Sequence, residues 1–108
     1  MNDCETKNLQ LVNKYIDYRT SSNVEGVLSL CSDNIFFIDA YGKEYKGKVA
    51  FSEYLKSPTP TSEWYKPVVL DKGVLLKGRV YKMFMWWHVS AEFKFNDNKI
   101  SMIILSKE

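Results

Sequence analysis

Val89-Ser90-Ala91-Glu92-Phe93-Lys94-Phe95 alternates without a break. The odd positions are apolar, while Ser90, Glu92 and Lys94, together with His88 before them, are polar. A period of two belongs to an extended strand with one face buried and one facing water. Downstream, Asn96-Asp97-Asn98 is a turn signal that leads into a last strand, Lys99 to Ser106. Upstream, Asp71-Lys72-Gly73 separates a strand from Trp64 to Leu70 from another running from Val74 to about Lys82. The turn joining that strand to the alternating one is unmarked, because Tyr81 to Trp87 contains no Gly, Asn or Asp. Two positions compete for it, one near Lys82–Met85 and one at Lys77-Gly78.

The first third of the chain has a different period. Leu9, Val12, Tyr15, Ile16 and Arg19 recur at three and four, which predicts an amphipathic helix of about thirteen residues, capped by Asp3 or Thr6. Thr20 to Asn23 breaks it. Asn23 then caps a second helix from Val24 to Cys31, with Glu25 near the positive end of its dipole, and Ser32-Asp33-Asn34 reads as a turn. Ile35 to Asp39 is a short strand, followed by a loop from Tyr41 to Gly47. Phe51, Tyr54 and Leu55 place a third helix between Lys48 and Lys56, stopped by Pro58 and Pro60. Helices gathered first and an antiparallel meander after them predict an α+β fold.

Composition narrows the function. The 108 residues leave room for one domain, 1–108, that buries about two-thirds of its unfolded surface. Thirteen acidic residues nearly balance fifteen basic ones, and the lysines are scattered, with Lys43, Lys46 and Lys48 reading as a solvated loop. Nucleic-acid binding is therefore not expected. Cys4 and Cys31 stand apart, so neither a metal site nor another cofactor is expected, and two isolated thiols fit a reducing, cytoplasmic setting. No run approaches membrane-spanning length and no apolar leader opens the chain, so no membrane role is expected.

The aromatic share, 15%, is high for a chain of this length. Its surplus collects at Tyr81 to Trp87. Tyr81, Met83, Met85 and Trp87 fall on one face there, Phe84 and Trp86 on the other, and a sheet with one wet face would alternate. This predicts a homodimer through the outer sheet face around Tyr81, Met83, Met85 and Trp87.

Two early helices, a strand ending in Phe37-Ile38-Asp39-Ala40-Tyr41-Gly42, Gly47-Lys48 opening a third helix, and Phe93-Lys94-Phe95-Asn96-Asp97-Asn98-Lys99-Ile100 in a curved sheet carry a resemblance. From Leu9 to Leu105 the chain resembles the nuclear transport factor 2-like superfamily, within it the ketosteroid isomerase and SnoaL-like polyketide cyclase branch. The resemblance implies a cone-shaped, cystatin-like α+β barrel: about three helices packed on a curved, mainly antiparallel sheet, with an apolar pocket at the wide end. It implies a general-base Asp where Asp39 stands and a tyrosine oxyanion donor where Tyr15 stands. The branch's second donor, a protonated Asp, is replaced here by Ala91. In that isomerase the acid is kept neutral so that it can donate a hydrogen bond to the oxyanion, so the residue change bears directly on activity.

Parity places Ile35, Phe37 and Asp39 on one face. A carboxylate among aromatic rings loses hydration and becomes a better base, and Tyr15 opposite it would complete a device for moving a proton next to a carbonyl. Asp39 has a second reading as the cap of the Ala40-Tyr41-Gly42 turn, and Tyr15 a second reading as a core aromatic. His88 reads as a surface histidine. Arg79 reads either as an exposed strand residue or as a clamp for an acidic ligand. The expected pocket is lined by Phe37, Tyr54, Trp64, Val80, Phe93 and Ile103, and takes a small apolar molecule. The competing class is a non-catalytic dimeric module that binds a ligand or a partner.

Overall fold

The computed structural model describes residues 3–57 and 60–107. Its order is α1 (Asp3–Thr20), α2 (Val24–Ser29), β1 (Cys31–Ile38), β2 (Glu44–Lys46), α3 (Gly47–Leu55), β3 (Thr61–Trp64), β4 (Val68–Leu70), β5 (Gly73–Lys82), β6 (Met85–Asn96) and β7 (Lys99–Lys107). The strands form one sheet in the order β2-β1-β7-β6-β5-β3, with β4 also on β5. All pairings are antiparallel except β1 with β7, so the fold is α+β on a mixed, mostly antiparallel sheet. A parallel pair needs a long crossover, and here the whole of β2 to β6 supplies it.

The helices cover the face of the sheet that alternation makes apolar. Val12, Val27, Ile35, Phe37, Phe51, Leu76, Phe93, Ile100 and Ile103 are fully buried there. Phe37 stacks on Phe51 with centroids 4.7 Å apart and leans on Tyr54 at 4.5 Å. Full burial of one such side chain stabilises by roughly 1.5–3 kcal/mol, so this aromatic cluster is the main anchor of α3 on β1. Among the described residues, no helix is long and apolar enough to cross a membrane.

Several boundaries differ from the sequence expectation, each for a physical reason. α1 begins at Asp3, so Thr6 lies inside the helix and is not its cap. α2 keeps its Asn23 cap, whose side chain accepts from the Gly26 N–H at 2.9 Å, but ends at Ser29. Cys31 and Ser32-Asp33-Asn34, read as a helix end and a turn, instead open β1. The cause is β7: the Ile100 N–H donates to the Leu30 carbonyl at 2.8 Å, and Cys31 pairs with Ile100. The stretch from Cys31 to Phe36 then spans only Ile100 to Met102, so the polar triplet occupies an irregular bulge. The loop from Tyr41 to Gly47 contains β2, recruited by β1 through Ile38↔Glu44 and Phe36↔Lys46. The strand expected from Trp64 to Leu70 is two strands, because Pro67 has no N–H to continue the ladder. α3 ends at Leu55 and is capped by Lys56, whose N–H reaches the Ser52 carbonyl. The stop expected at Pro58 lies outside the described residues.

The unmarked turn is at Met83-Phe84. Lys82 pairs with Met85, leaving a two-residue loop with φ of +55° and +67°. Lys77-Gly78 lies in the middle of β5. There Gly78 is required by close approach, since a Cβ would run into the Glu63 carbonyl and the Trp64 ring. Strand register also corrects the expected outer face. Val80↔Trp87 and Ala91↔Leu105 put Trp87 on the same side as buried Ala91, and Met83 and Trp87 both border the interior cavity described next. Met85 has the parity of Trp87. Of the four residues assigned to the outer face, only Tyr81 is there, edge-on to Trp86 at 5.4 Å.

Candidate functional site

A cavity of about 590 Å3 opens where the sheet curves away from α1 and α3. That volume lies within the usual range of small-molecule sites. Ile16, Trp64, Leu76, Val80, Trp87, Val89, Ala91 and Leu105 form its apolar walls, and Tyr15 and Asp39 both border it.

Asp39 arrives there by parity. Ile35 and Phe37 point inward from β1 and are fully buried, and Asp39, the next position but one, is only 8% exposed. Its Oδ1 accepts the backbone N–H of Tyr41 at 2.9 Å and of Lys43 at 3.0 Å. The Asp39 carbonyl accepts from Gly42, which holds φ at +86° to close the turn. Oδ2 receives a long contact of 3.4 Å from the Tyr45 hydroxyl. One carboxylate oxygen is thus committed to the turn, while the residue borders the cavity.

Tyr15 comes from α1 and packs edge-on to Phe93, centroids 5.2 Å apart at 74°. Burial pushes its hydroxyl well above the ordinary tyrosine range, opposed by the nearby Arg19 guanidinium. It therefore stays a neutral donor at any ordinary pH. Burial likewise raises the Tyr54 hydroxyl, again opposed by Arg19, which lies 5.5 Å over the Tyr54 ring. Arg19 is one helical turn beyond Tyr15, so both reach the same wall.

The residues expected to line the pocket divide. Tyr54, Trp64 and Val80 border the cavity. Phe37, Phe93 and Ile103 have no exposed surface and instead pack in the core, where Phe93 meets Tyr15 of α1 and Phe37 meets Phe51 of α3. Ala91, at the position of the missing second donor, does border the cavity and brings no polar group to it. Arg79 is on the opposite face, its Nη2 bonded to Glu63 at 2.9 Å and its guanidinium 4.2 Å over Trp86, so it does not clamp a ligand here. His88, paired with Arg79, is exposed on that same outer face.

Eight polar or charged side chains on the wall were not singled out from sequence: Arg19, Thr20, Tyr41, Tyr45, Ser57, Ser62, Lys82 and Lys107. Strand parity signals two of them, since Lys82 shares a face with Val80 and Lys107 with Leu105. Among the described residues, no cluster of His, Cys, Asp and Glu could hold a metal. A second cleft, about 380 Å3, lies between the start of α1 and the β4–β5 turn and holds exposed Cys4. Its other polar side chains are Glu5, Asn8, Asp71 and Lys72.

Neither a family model nor a curated protein matches the sequence. Solved structures do match the fold. A nuclear transport factor 2-like protein of unknown function from Mesorhizobium loti superposes with a TM-score of 0.88 over 100% of this chain and 96% of its own, at 9% identity. A proposed ketosteroid isomerase from Kribbella flavida gives 0.85 over 96% and 79%, at 8% identity. A proposed polyketide cyclase from Sinorhizobium meliloti gives 0.81 over 90% and 94%, at 16% identity. At such identities the likeness speaks for architecture alone. The chain has the nuclear transport factor 2-like, cystatin-type α+β fold.

Proposed function

We propose that this protein holds a small, largely apolar molecule in the cavity between the sheet and α1. The observation that carries the reading is one cavity of ligand-site volume, apolar over most of its wall, with Tyr15 and Asp39 both bordering it. Its test is binding of a neutral apolar fluorophore, N-phenylnaphthylamine, to the wild type and to Ala91→Phe. A phenyl ring at position 91 projects into the cavity from the sheet side and takes up part of its volume. Saturable binding that Ala91→Phe weakens by about tenfold or more, with the variant's circular dichroism unchanged, supports the reading. Affinity that Ala91→Phe leaves unchanged sinks it, and Ala91→Leu serves the same purpose if the larger ring prevents folding.

A second reading is proton transfer next to a carbonyl, favoured by the carboxylate and the tyrosine hydroxyl sharing that cavity. Asp39 Oδ2 would take the proton from carbon, and Tyr15 would donate to the oxygen on which charge develops. Without a donor at Ala91, one hydrogen bond fewer meets that charge, a deficit of about a hundred- to a thousand-fold in rate. Asp39→Asn is a clean probe, because an amide oxygen can still accept the Tyr41 and Lys43 N–H groups. Turnover of a β,γ-unsaturated ketone that vanishes in Asp39→Asn while fluorophore binding persists supports catalysis. No turnover in the wild type supports the non-catalytic module.

We further propose a homodimer through the outer sheet face. Phe36 and Ile38 of β1, Met102 and Ile104 of β7 and Trp86 of β6 stand there, none of them fully buried. A dimeric mass at micromolar concentration, reduced to a monomer by Ile104→Lys, supports this. A monomeric wild type refutes it.

A further inference from the structure

We propose that the molecule held in the cavity is an amphiphile, an apolar body ending in one anionic group such as a carboxylate, and that Lys82 and Lys107 receive that group at the mouth. This rests on the cavity being a ligand site.

The charge count at the wall is one-sided. Arg19, Lys82 and Lys107 contribute three positive charges, and Asp39 is the single carboxylate, with one oxygen held by the turn. The two lysines come from the ends of β5 and β7, which are not neighbours in the sheet, yet they converge on one ring. Lys107 Nζ is 4.2 Å from the Tyr41 centroid and Lys82 Nζ 5.3 Å from it. Lys82 Nζ also bonds the Tyr41 hydroxyl at 2.9 Å, and Lys107 lies 6.0 Å over Trp87. Neither lysine forms an ion pair with a carboxylate among the described residues. Elsewhere Arg79 is met by Glu63, Lys48 by Asp33 and Lys56 by Glu53. Two ammonium groups at one ring, paired with no carboxylate, make the mouth positive, and an arriving anion is attracted by both.

Local structure keeps them there. The Met83-Phe84 loop folds both residues at positive φ, which turns β5 back sharply and leaves Lys82 on the cavity side. Trp87 Nε1 donates to the Lys82 carbonyl at 2.9 Å and pins its backbone. Ile16, Leu76, Val80 and Val89 offer no partner to a charged group, and the buried Asp39 carboxylate repels an anion, so the ligand's charged end belongs beside the two lysines.

The test uses two fluorophores that differ by one anionic group: anilinonaphthalene sulfonate and neutral N-phenylnaphthylamine. The wild type is expected to bind the sulfonate about tenfold more tightly, the effect of two solvent-screened ion pairs. Raising salt from about 0.01 M to about 1 M should erase that preference and leave the neutral probe unaffected. Lys82→Gln/Lys107→Gln should bring the ratio to about one by weakening the sulfonate alone, and Lys77→Gln/Lys94→Gln on the outer face should preserve it. Equal affinities in the wild type, a ratio that survives in the cavity-mouth variant, or equal weakening of both probes overturns the proposal. If neither probe binds, the cavity reading falls with it; if only the neutral probe binds, the cavity stands and the anion does not.

Discussion

Replacing Met83-Phe84 by Asn-Gly is expected to stabilise the fold. Both residues occupy the left-handed region, at φ +55° and +67°. There the Cβ of an L-residue crowds the following carbonyl, at a cost of about 1–2 kcal/mol per residue. The Lys82↔Met85 register allows only a two-residue loop, and such loops match strand twist as type I′ turns, for which Asn-Gly is the favoured pair. Asn adopts this conformation with local hydrogen bonding, and Gly removes the Cβ but loses about 0.5–1 kcal/mol more chain entropy. Met83 and Phe84 are 77% and 94% exposed, so little packing is forfeited. The balance is about 1–2 kcal/mol in favour of the variant. For 108 residues that raises Tm by about 4–9 °C in a thermal melt followed by circular dichroism. The reciprocal change, Asp97-Asn98 to Met-Phe at the other such turn (φ +52° and +62°), should lower Tm by a similar amount. An Asn-Gly variant that melts at or below the wild-type temperature would refute the reasoning, because the tip residues would then contribute more by contact than they cost in backbone strain.

Four further outcomes follow from the same structure. Asp39→Ala removes the acceptor of two backbone N–H groups and should destabilise by about 1–3 kcal/mol in urea unfolding, whereas Asp39→Asn should cost under about 1 kcal/mol; equal effects would mean that the turn does not depend on Oδ1. Gly78→Ala should destabilise by about 1–3 kcal/mol through collision with β3, and an unchanged unfolding midpoint would show that β3 can move aside. Burial raises the Cys31 thiol from its ordinary value near 9.0 to about 12, and raises the Tyr15 hydroxyl from 10.0 further still. Over that range the unfolded chain holds fewer protons than the folded one, so unfolding free energy should be constant up to about pH 9 and fall above it. In the same protein exposed Cys4 should react with a thiol reagent at once, and buried Cys31 only on unfolding.

Much of the fold was legible because it is local. The alternation from Val89 to Phe95, the Asn23 cap and the Asp97-Asn98 turn each carry their signal within a few residues. What escaped depends on partners distant in sequence. Ser32-Asp33-Asn34 has turn chemistry, yet β7 draws it into a strand, and β2 exists only because β1 lies beside it. Met83-Phe84 carries no turn signal at all; strand register forces two bulky residues into a conformation normally left to Asn and Gly.

The site divides in the same way. The inward aim of Asp39 follows from parity with Ile35 and Phe37, and the absence of a polar group at position 91 is plain from the residue itself. That Oδ1 is spent on the turn depends on how the chain closes after Gly42. Which aromatics line the cavity and which fill the core depends on sheet curvature, so Phe37, Phe93 and Ile103 lie in the core while Trp87 and Met83 border the cavity. By itself the sequence determined an α+β chain with Asp39 and Tyr15 facing inward, because periodicity and side-chain chemistry are local properties. Only the tertiary structure brought Arg19, Lys82 and Lys107 to the wall of one cavity, because the ends of α1, β5 and β7 meet solely through the bend of the sheet.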